Sequence, residues 1–462
     1  MPRSTSNTLL SLALALMLAP GLARAEDLLQ VYQQARASDP VLAQANAQRL
    51  ATQEGISQAR AVMLPQLSAS YSYNRSHGTS SNTQPFSTPN GFQIFNFTSS
   101  SQNYGATLRG VLSQTLFNFS DWANLKAAHA QAKSQNMQYQ SAVQDLYLRV
   151  AQAYFGVLAA QDQLTYAESN KKALARQLEQ AQQRFQVGLA AITDVNKAKA
   201  QHDSAVANVI TARNNLDDAR EALTQITGQP VKYLSSLRKD IPLIPPVPTK
   251  LSAWVQRALH NNPALKSYER KVQASNDTIK AARGAYLPTL SAQLSYSRSP
   301  GWGDQSSRLG GLGAYHTNNL NRNTAIGVVL NIPIFTGFAT QSRVRQAVYN
   351  RDVSQDVLEQ NRRGLVRNTR NAYRSVLAGI ASVQANQQTV VSAKSSFEAT
   401  QAGYEVGTQT IVDVLLAQQA LYQAQSAYSQ ARYNLLINRL SLVYDAGSLN
   451  FQSLQQLNAL LQ

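Results

Sequence analysis

Leu64-Pro65-Gln66-Leu67-Ser68-Ala69 returns as Leu287-Pro288-Thr289-Leu290-Ser291-Ala292. Further along, Phe185-Gln186-Val187-Gly188-Leu189-Ala190-Ala191-Ile192-Thr193-Asp194-Val195 returns as Tyr404-Glu405-Val406-Gly407-Thr408-Gln409-Thr410-Ile411-Val412-Asp413-Val414. Two motifs in the same order at nearly the same spacing make the chain two matched halves rather than several unrelated domains. The halves read as 26–227 and 251–446, with a linker over 228–250 and a tail over 447–462.

The first motif opens a strand. A helical stretch rich in Ala, Gln and Leu, containing only Pro40, ends at Pro65. Beyond it Leu67, Ala69, Tyr71 and Tyr73 alternate with Gln66, Ser68, Ser70 and Ser72, the period of a strand with one apolar and one wet face. Leu290, Ala292, Leu294 and Tyr296 repeat the pattern. Each strand is expected to run into a polar loop, over 75–102 and over 299–321 with its glycines 301, 303, 310, 311 and 313, and to return over 104–117 and 323–335. The strand pairs thus occupy about 66–117 and 289–335. Strands of about ten residues with long loops on one side suit an outer-membrane barrel. Four strands cannot close a barrel, and open edges are not tolerated in lipid, so copies of the chain have to pool their strands.

The second motif closes a long helix. No proline occurs from Ser120 to Val187, a run of roughly 100 Å at helical rise. Val143, Leu146, Val150, Ala153, Val157, Ala160, Leu164 and Ala167 recur at alternating three- and four-residue steps, a coiled-coil seam. Leu365, Ala372, Val376, Val383, Val390, Ala393, Phe397 and Tyr404 repeat it, with Thr369 and Asn386 intruding. Gly188 and Gly407 are placed to turn each helix back on itself. The hairpins therefore span about 120–227 and 337–446. The linker, with Pro230, Pro242, Pro245, Pro246 and Pro248, excludes helix and is expected to lie with the tail against the outside of the helical body, near its middle.

Composition narrows the function. Arg3, the apolar run Leu9 to Leu18 and Ala23-Arg24-Ala25 read as a signal peptide over 1–25. No later stretch is long and apolar enough for a transmembrane helix. Cysteine is absent, which removes disulfides, thiol nucleophiles and cysteine-bound metals. The formal charge of +17 is scattered along helices without the concentrated basic patches of a nucleic-acid binder. The five histidines have no metal-ligand spacing, and no phosphate loop or nucleophile elbow occurs, so neither a cofactor nor catalysis is expected.

With its signal, its twofold strand-pair and hairpin units, its Leu-Pro-x-Leu motifs, its Tyr/Phe-x-Val-Gly-x-x-x-Ile-x-Asp-Val turns and Ala151-Gln152-Ala153-Tyr154-Phe155, the chain resembles the TolC family of outer-membrane efflux proteins. The resemblance implies an α+β membrane protein. Three chains would form a twelve-stranded outer-membrane barrel continuous with a coiled-coil helical tunnel in the periplasm. It implies a gated conduit for drugs, small molecules or secreted proteins. The implied partners are a periplasmic adaptor, an inner-membrane pump of RND, ABC or MFS type, and outer-membrane lipid. The rival reading is a non-conducting coiled-coil or adhesin-like envelope protein.

The resemblance also assigns a gate. It implies that Tyr404 on the second tip hydrogen-bonds Asp194 on the first. A second link joins Thr193 to a position that is Arg in the family and Gln409 here, which loses the charge-assisted part of the bond. Two rings of Asp would constrict the pore; the first corresponds to Asp413, and Leu416 stands at the second. Gly188, Leu189, Gly407 and Thr408 would meet the adaptor. On chemistry alone Asp194 and Asp413 are equally early-turn helix acids, Tyr404 continues a packing seam, and the glycines serve as turn formers.

Overall fold

The computed structural model describes residues 25–231, 233–307 and 314–462. The signal segment up to residue 24 and glycines 310, 311 and 313 lie outside the described residues. The element order is α1 (Leu28–Ser38), α2 (Pro40–Ala61), β1 (Gln66–Thr88), β2 (Gly91–Phe117), α3 (Phe119–Gln186) and α4 (Ile192–Thr227). It then recurs as α5 (Leu251–Asn261), α6 (Pro263–Gly284), β3 (Thr289–Ser307), β4 (Tyr315–Asn331), α7 (Ala339–Glu405) and α8 (Ile411–Asp445), followed by α9 (Phe451–Asn458).

Two compact units emerge. One comprises Leu50–Ser134 and Tyr268–Val357 and contains the strands. They form one antiparallel sheet in the order β1-β2-β3-β4. Its register aligns Leu67 with Leu112, Leu112 with Leu294 and Leu294 with Ile326. Tyr71 with Leu108, and Ala292 with Val328, fall on the same face. The other face carries Ser68, Ser70 and Ser72 on β1 and Ser295 and Ser297 on β3. Alternation thus gives one apolar and one polar surface.

The strands run farther than the sequence suggests. The expected loop over 75–102 is instead a continuation of β1 and β2, turned at Pro89 and Asn90. Short polar side chains there pair across the strands: Thr83 Oγ1 donates to Asn96 Oδ1 at 2.6 Å, and the Ser80 and Ser99 hydroxyls lie 3.0 Å apart. In the second copy, residues up to 307 and from 315 belong to β3 and β4 rather than to a loop. Gly303 sits inside β3, where an added Cβ would strike the carbonyl of Gln102. Its glycine answers a close strand approach, not a loop.

The other unit holds the described parts of Met1–Arg49, with Gln135–Ser267 and Leu358–Gln462. Along the predicted seams Leu146 and Val150 on α3 and Val376 on α7 are fully inaccessible, while Leu365, Val390 and Phe397 on α7 are only half-buried; Ala198 on α4 is also fully inaccessible. Thr369, an intruder in the seam, is buried with its hydroxyl bonded to the Leu365 carbonyl at 2.8 Å. Tyr154 and Phe155 form the centre of the largest core, beside Leu28, Val31, Leu436 and Leu454. The Tyr154 hydroxyl lies 3.1 Å from the carbonyl of Glu26 and 2.9 Å from that of Ser235.

Linker and tail are tied together. Ser236 and Gln462 exchange backbone hydrogen bonds of 3.2 and 2.9 Å, and Arg238 donates to the Leu460 carbonyl. The stretch before β1 is not one helix. α1 stops at Ser38, and Asp39 caps α2 through the Leu42 N–H at 2.8 Å, leaving Pro40 at a first-turn position that needs no donor.

Candidate aperture at the hairpin tips

Each long helix ends on a left-handed glycine, Gly188 at φ 76° and Gly407 at φ 83°. The Leu189 N–H bonds the Arg184 carbonyl at 2.7 Å and the Gly188 N–H the Phe185 carbonyl at 3.0 Å. The second tip repeats this with Thr408 to Gly403 at 2.8 Å and Gly407 to Tyr404 at 3.2 Å. Both are Schellman caps, which require the positive φ that glycine supplies. No atom lies within 4 Å of a Cβ added at either glycine, so the constraint is conformational. Gly407→Ala is expected to cost about 1–2 kcal/mol per chain, read as a lower thermal midpoint of the folded protein.

The returning helices start differently. α8 begins with a capping box: Asp413 N–H donates to Thr410 Oγ1 at 3.3 Å, while Thr410 N–H and hydroxyl donate to the Asp413 carboxylate at 3.0 and 2.6 Å. Those bonds from Thr410 hold the Asp413 carboxyl below its ordinary pKa. α4 begins at Ala191, which offers no side-chain cap. Asp194 occupies the same early-turn position as Asp413, without its capping partner.

The two tips meet in a small apolar cluster of Leu174, Ala181, Ala198, Tyr404, Ile411 and Val414. Tyr404 is buried within it. The tie between the tips is Arg184. Its guanidinium stands 4.7 Å from the centre of the Tyr404 ring, and its Nη1 donates to the Tyr404 carbonyl at 3.2 Å. Burial raises the Tyr404 pKa, Arg184 opposes that, and the Asp194 charge adds to the rise. Asp194 is thus an electrostatic neighbour of Tyr404, but among the described residues no hydrogen bond joins hydroxyl and carboxylate. Nor does one join Thr193 to Gln409; the Gln409 N–H instead bonds the Gly403 carbonyl at 3.2 Å.

Nothing local marks Arg184 as a site residue, because basic residues are scattered along this helix. Comparing the halves reveals it: the residue before the Phe/Tyr of the turn motif is Arg184 in one and Gly403 in the other. Around the tip turns Val187, Leu189 and Val406 are more than half exposed, as is Leu416 on α8, and Gly188, Gly407 and Thr408 are exposed too.

The chain matches the family described as Outer membrane efflux protein twice, over residues 31–229 and 254–448. It is 40% identical over 438 residues to the Outer membrane protein TolC of Escherichia coli (strain K12), covering 95% of this chain and 85% of that protein. It is 30% identical over 431 residues to the Alkaline protease secretion protein AprF of Pseudomonas aeruginosa, covering 93% and 86%. Among solved structures, the outer membrane protein VceC of Vibrio cholerae superposes with a TM-score of 0.71 at 18% identity, covering 91% of this chain and 96% of that one. With strand pairs, long hairpins and glycine-capped tips in the order its family profile spans twice, this chain belongs to the outer membrane efflux protein family.

Proposed function

We propose that three copies of this chain assemble into a channel-tunnel of the Gram-negative outer membrane. Each gives four strands to a twelve-stranded barrel, and the hairpins form a tunnel through the periplasm that closes at their tips. The chain is an outer-membrane channel of efflux and type I secretion rather than an enzyme, as its relatives are. The observation that carries the assembly is the sheet: β1 and β4 each pair on one side only, and one face is apolar. Unpaired edges cannot stand in hydrocarbon, so identical neighbours complete the cylinder. Among the described residues no helix is long and apolar enough to cross a membrane.

The exposed apolar side chains of Val187, Leu189 and Val406 support docking of a periplasmic adaptor around Gly188, Leu189, Gly407 and Thr408, with an RND, ABC or MFS pump behind it. Tips joined by a few polar links release when a partner supplies competing contacts. Asp194, Tyr404, Thr193 and Gln409 border this gate, and Asp413 gives it an acidic ring. Asp413→Asn is expected to lower the cation preference, because charged rings set selectivity. The reversal potential across a salt gradient checks it, and an unmoved potential removes that carboxylate from the constriction.

Planar-bilayer recording tests the whole reading. Discrete, stable openings are expected. Their consistent absence from well-folded protein would favour a non-conducting coiled-coil envelope protein.

A further inference from the structure

The free edges of the sheet restrict how copies can meet. Three antiparallel steps separate β1 from β4, so the two run in opposite directions. β4 of one copy can therefore accept β1 of the next by ordinary antiparallel pairing. The apolar face has to continue across that joint, because a slip of one residue turns every apolar side chain to the wrong surface. Even-numbered residues of β4 must then stand opposite odd-numbered residues of β1, and the register moves only in steps of two.

Side-chain chemistry separates the remaining choices. Flush ends, with Gln66 opposite Asn331, would set Arg75 of one copy opposite Arg322. Arg322 already faces Arg298 on its other side. Three guanidinium groups in a row repel one another. Retreating by two sets Leu330 opposite Pro65, which has no N–H to donate. Advancing by four sets Ile326 opposite Arg75. Advancing by two sets Tyr71 opposite Val328 and Tyr73 opposite Ile326, and gives Arg75 the neutral Thr324. All four apolar residues are open in the single chain, at 69%, 64%, 55% and 85% exposure in that order. Aromatic residues facing β-branched ones are favourable cross-strand pairs.

We infer that β4 pairs with β1 of a second copy in this one register, Val328 opposite Tyr71. The inference rests on the pooled-barrel reading and adds its geometry. The chain has no cysteine, so introduced thiols report without interference. The test oxidises full-length protein in native membranes and compares Tyr71→Cys/Val328→Cys with Ala69→Cys/Val328→Cys on a non-reducing denaturing gel. The first variant is expected to give covalent oligomers up to the trimer at roughly ten times the yield of the second, since diagonal neighbours lie beyond disulfide reach. Tyr73→Cys/Ile326→Cys carries the same expectation should the first pair fold poorly. A higher yield from the Ala69 pair would overturn the register while leaving the pooled barrel standing. An absence of covalent oligomers from every pair, in protein that native mass shows to be monomeric, would overturn both.

Discussion

Arg184→Ala should raise the resting single-channel conductance several-fold, and Tyr404→Phe alone should change it little. The geometry dictates that order. Arg184 reaches the Tyr404 carbonyl at 3.2 Å and covers its ring at 4.7 Å, while the Tyr404 hydroxyl forms no hydrogen bond to Asp194. Phenylalanine keeps both the ring and the carbonyl, so it keeps the tie. Alanine at 184 removes both contacts. A charged hydrogen bond contributes about 1.5–3 kcal/mol and a partly shielded cation–π contact about 0.5–2. Losing about 2 kcal/mol per chain shifts a closed-to-open balance by roughly 30-fold for each copy. Adding Asp194→Ala to Tyr404→Phe should have a modest effect, because its charge perturbs Tyr404 without bonding it. A larger opening from Tyr404→Phe than from Arg184→Ala would mean that the hydroxyl holds the tips.

Arg149→Met should cost about 3–5 kcal/mol of stability, the loss expected when a buried charge is stripped of its partner. Arg149 donates to both oxygens of Asp39 at 3.1 and 2.8 Å, and the Asp39 side chain is only 2% exposed. Burial pushes the Asp39 carboxyl up, and the hydrogen bonds from Arg149 and Leu42 outweigh it, so its pKa lies below the ordinary value. A carboxyl lowered on folding stabilises the fold above its unfolded pKa and loses that contribution as pH falls through its folded one. The thermal midpoint gap between native protein and Arg149→Met is therefore widest near neutrality and narrows as pH falls through the carboxylate range, where the variant's uncompensated Asp39 takes up its proton first. Asp39→Asn in the same background should recover much of the loss, since the amide still caps α2 and carries no charge. A variant as stable as the native protein at pH 7 would show that Asp39 needs no cation.

Periodicity made most of this fold legible. The alternation after Leu64 and Leu287, the seams along α3 and α7 and the turns at Gly188 and Gly407 all appear where the chain repeats a physical demand. The strand tips were hidden because Ser, Thr and Asn pair across β1 and β2 as hydrogen-bonding rungs, and such residues read as loop when no partner is visible. The break at Asp39 is local: its carboxylate caps α2 through the Leu42 N–H, and Pro40 disfavours helical geometry at the residue before it, while its ion pair with Arg149 is distant in sequence. Thr410-x-x-Asp413 was a readable helix start, and it shows that Asp413 has capping to do besides any role in the pore. Arg184 acts on Tyr404, 220 positions away, and nothing local in its own helix marks it.

The assembly itself is tested most directly by native mass spectrometry of the mature protein released from outer membranes in lipid nanodiscs. The proposed channel-tunnel predicts one species of three chains. A single chain, stable and fully folded in lipid, would contradict it.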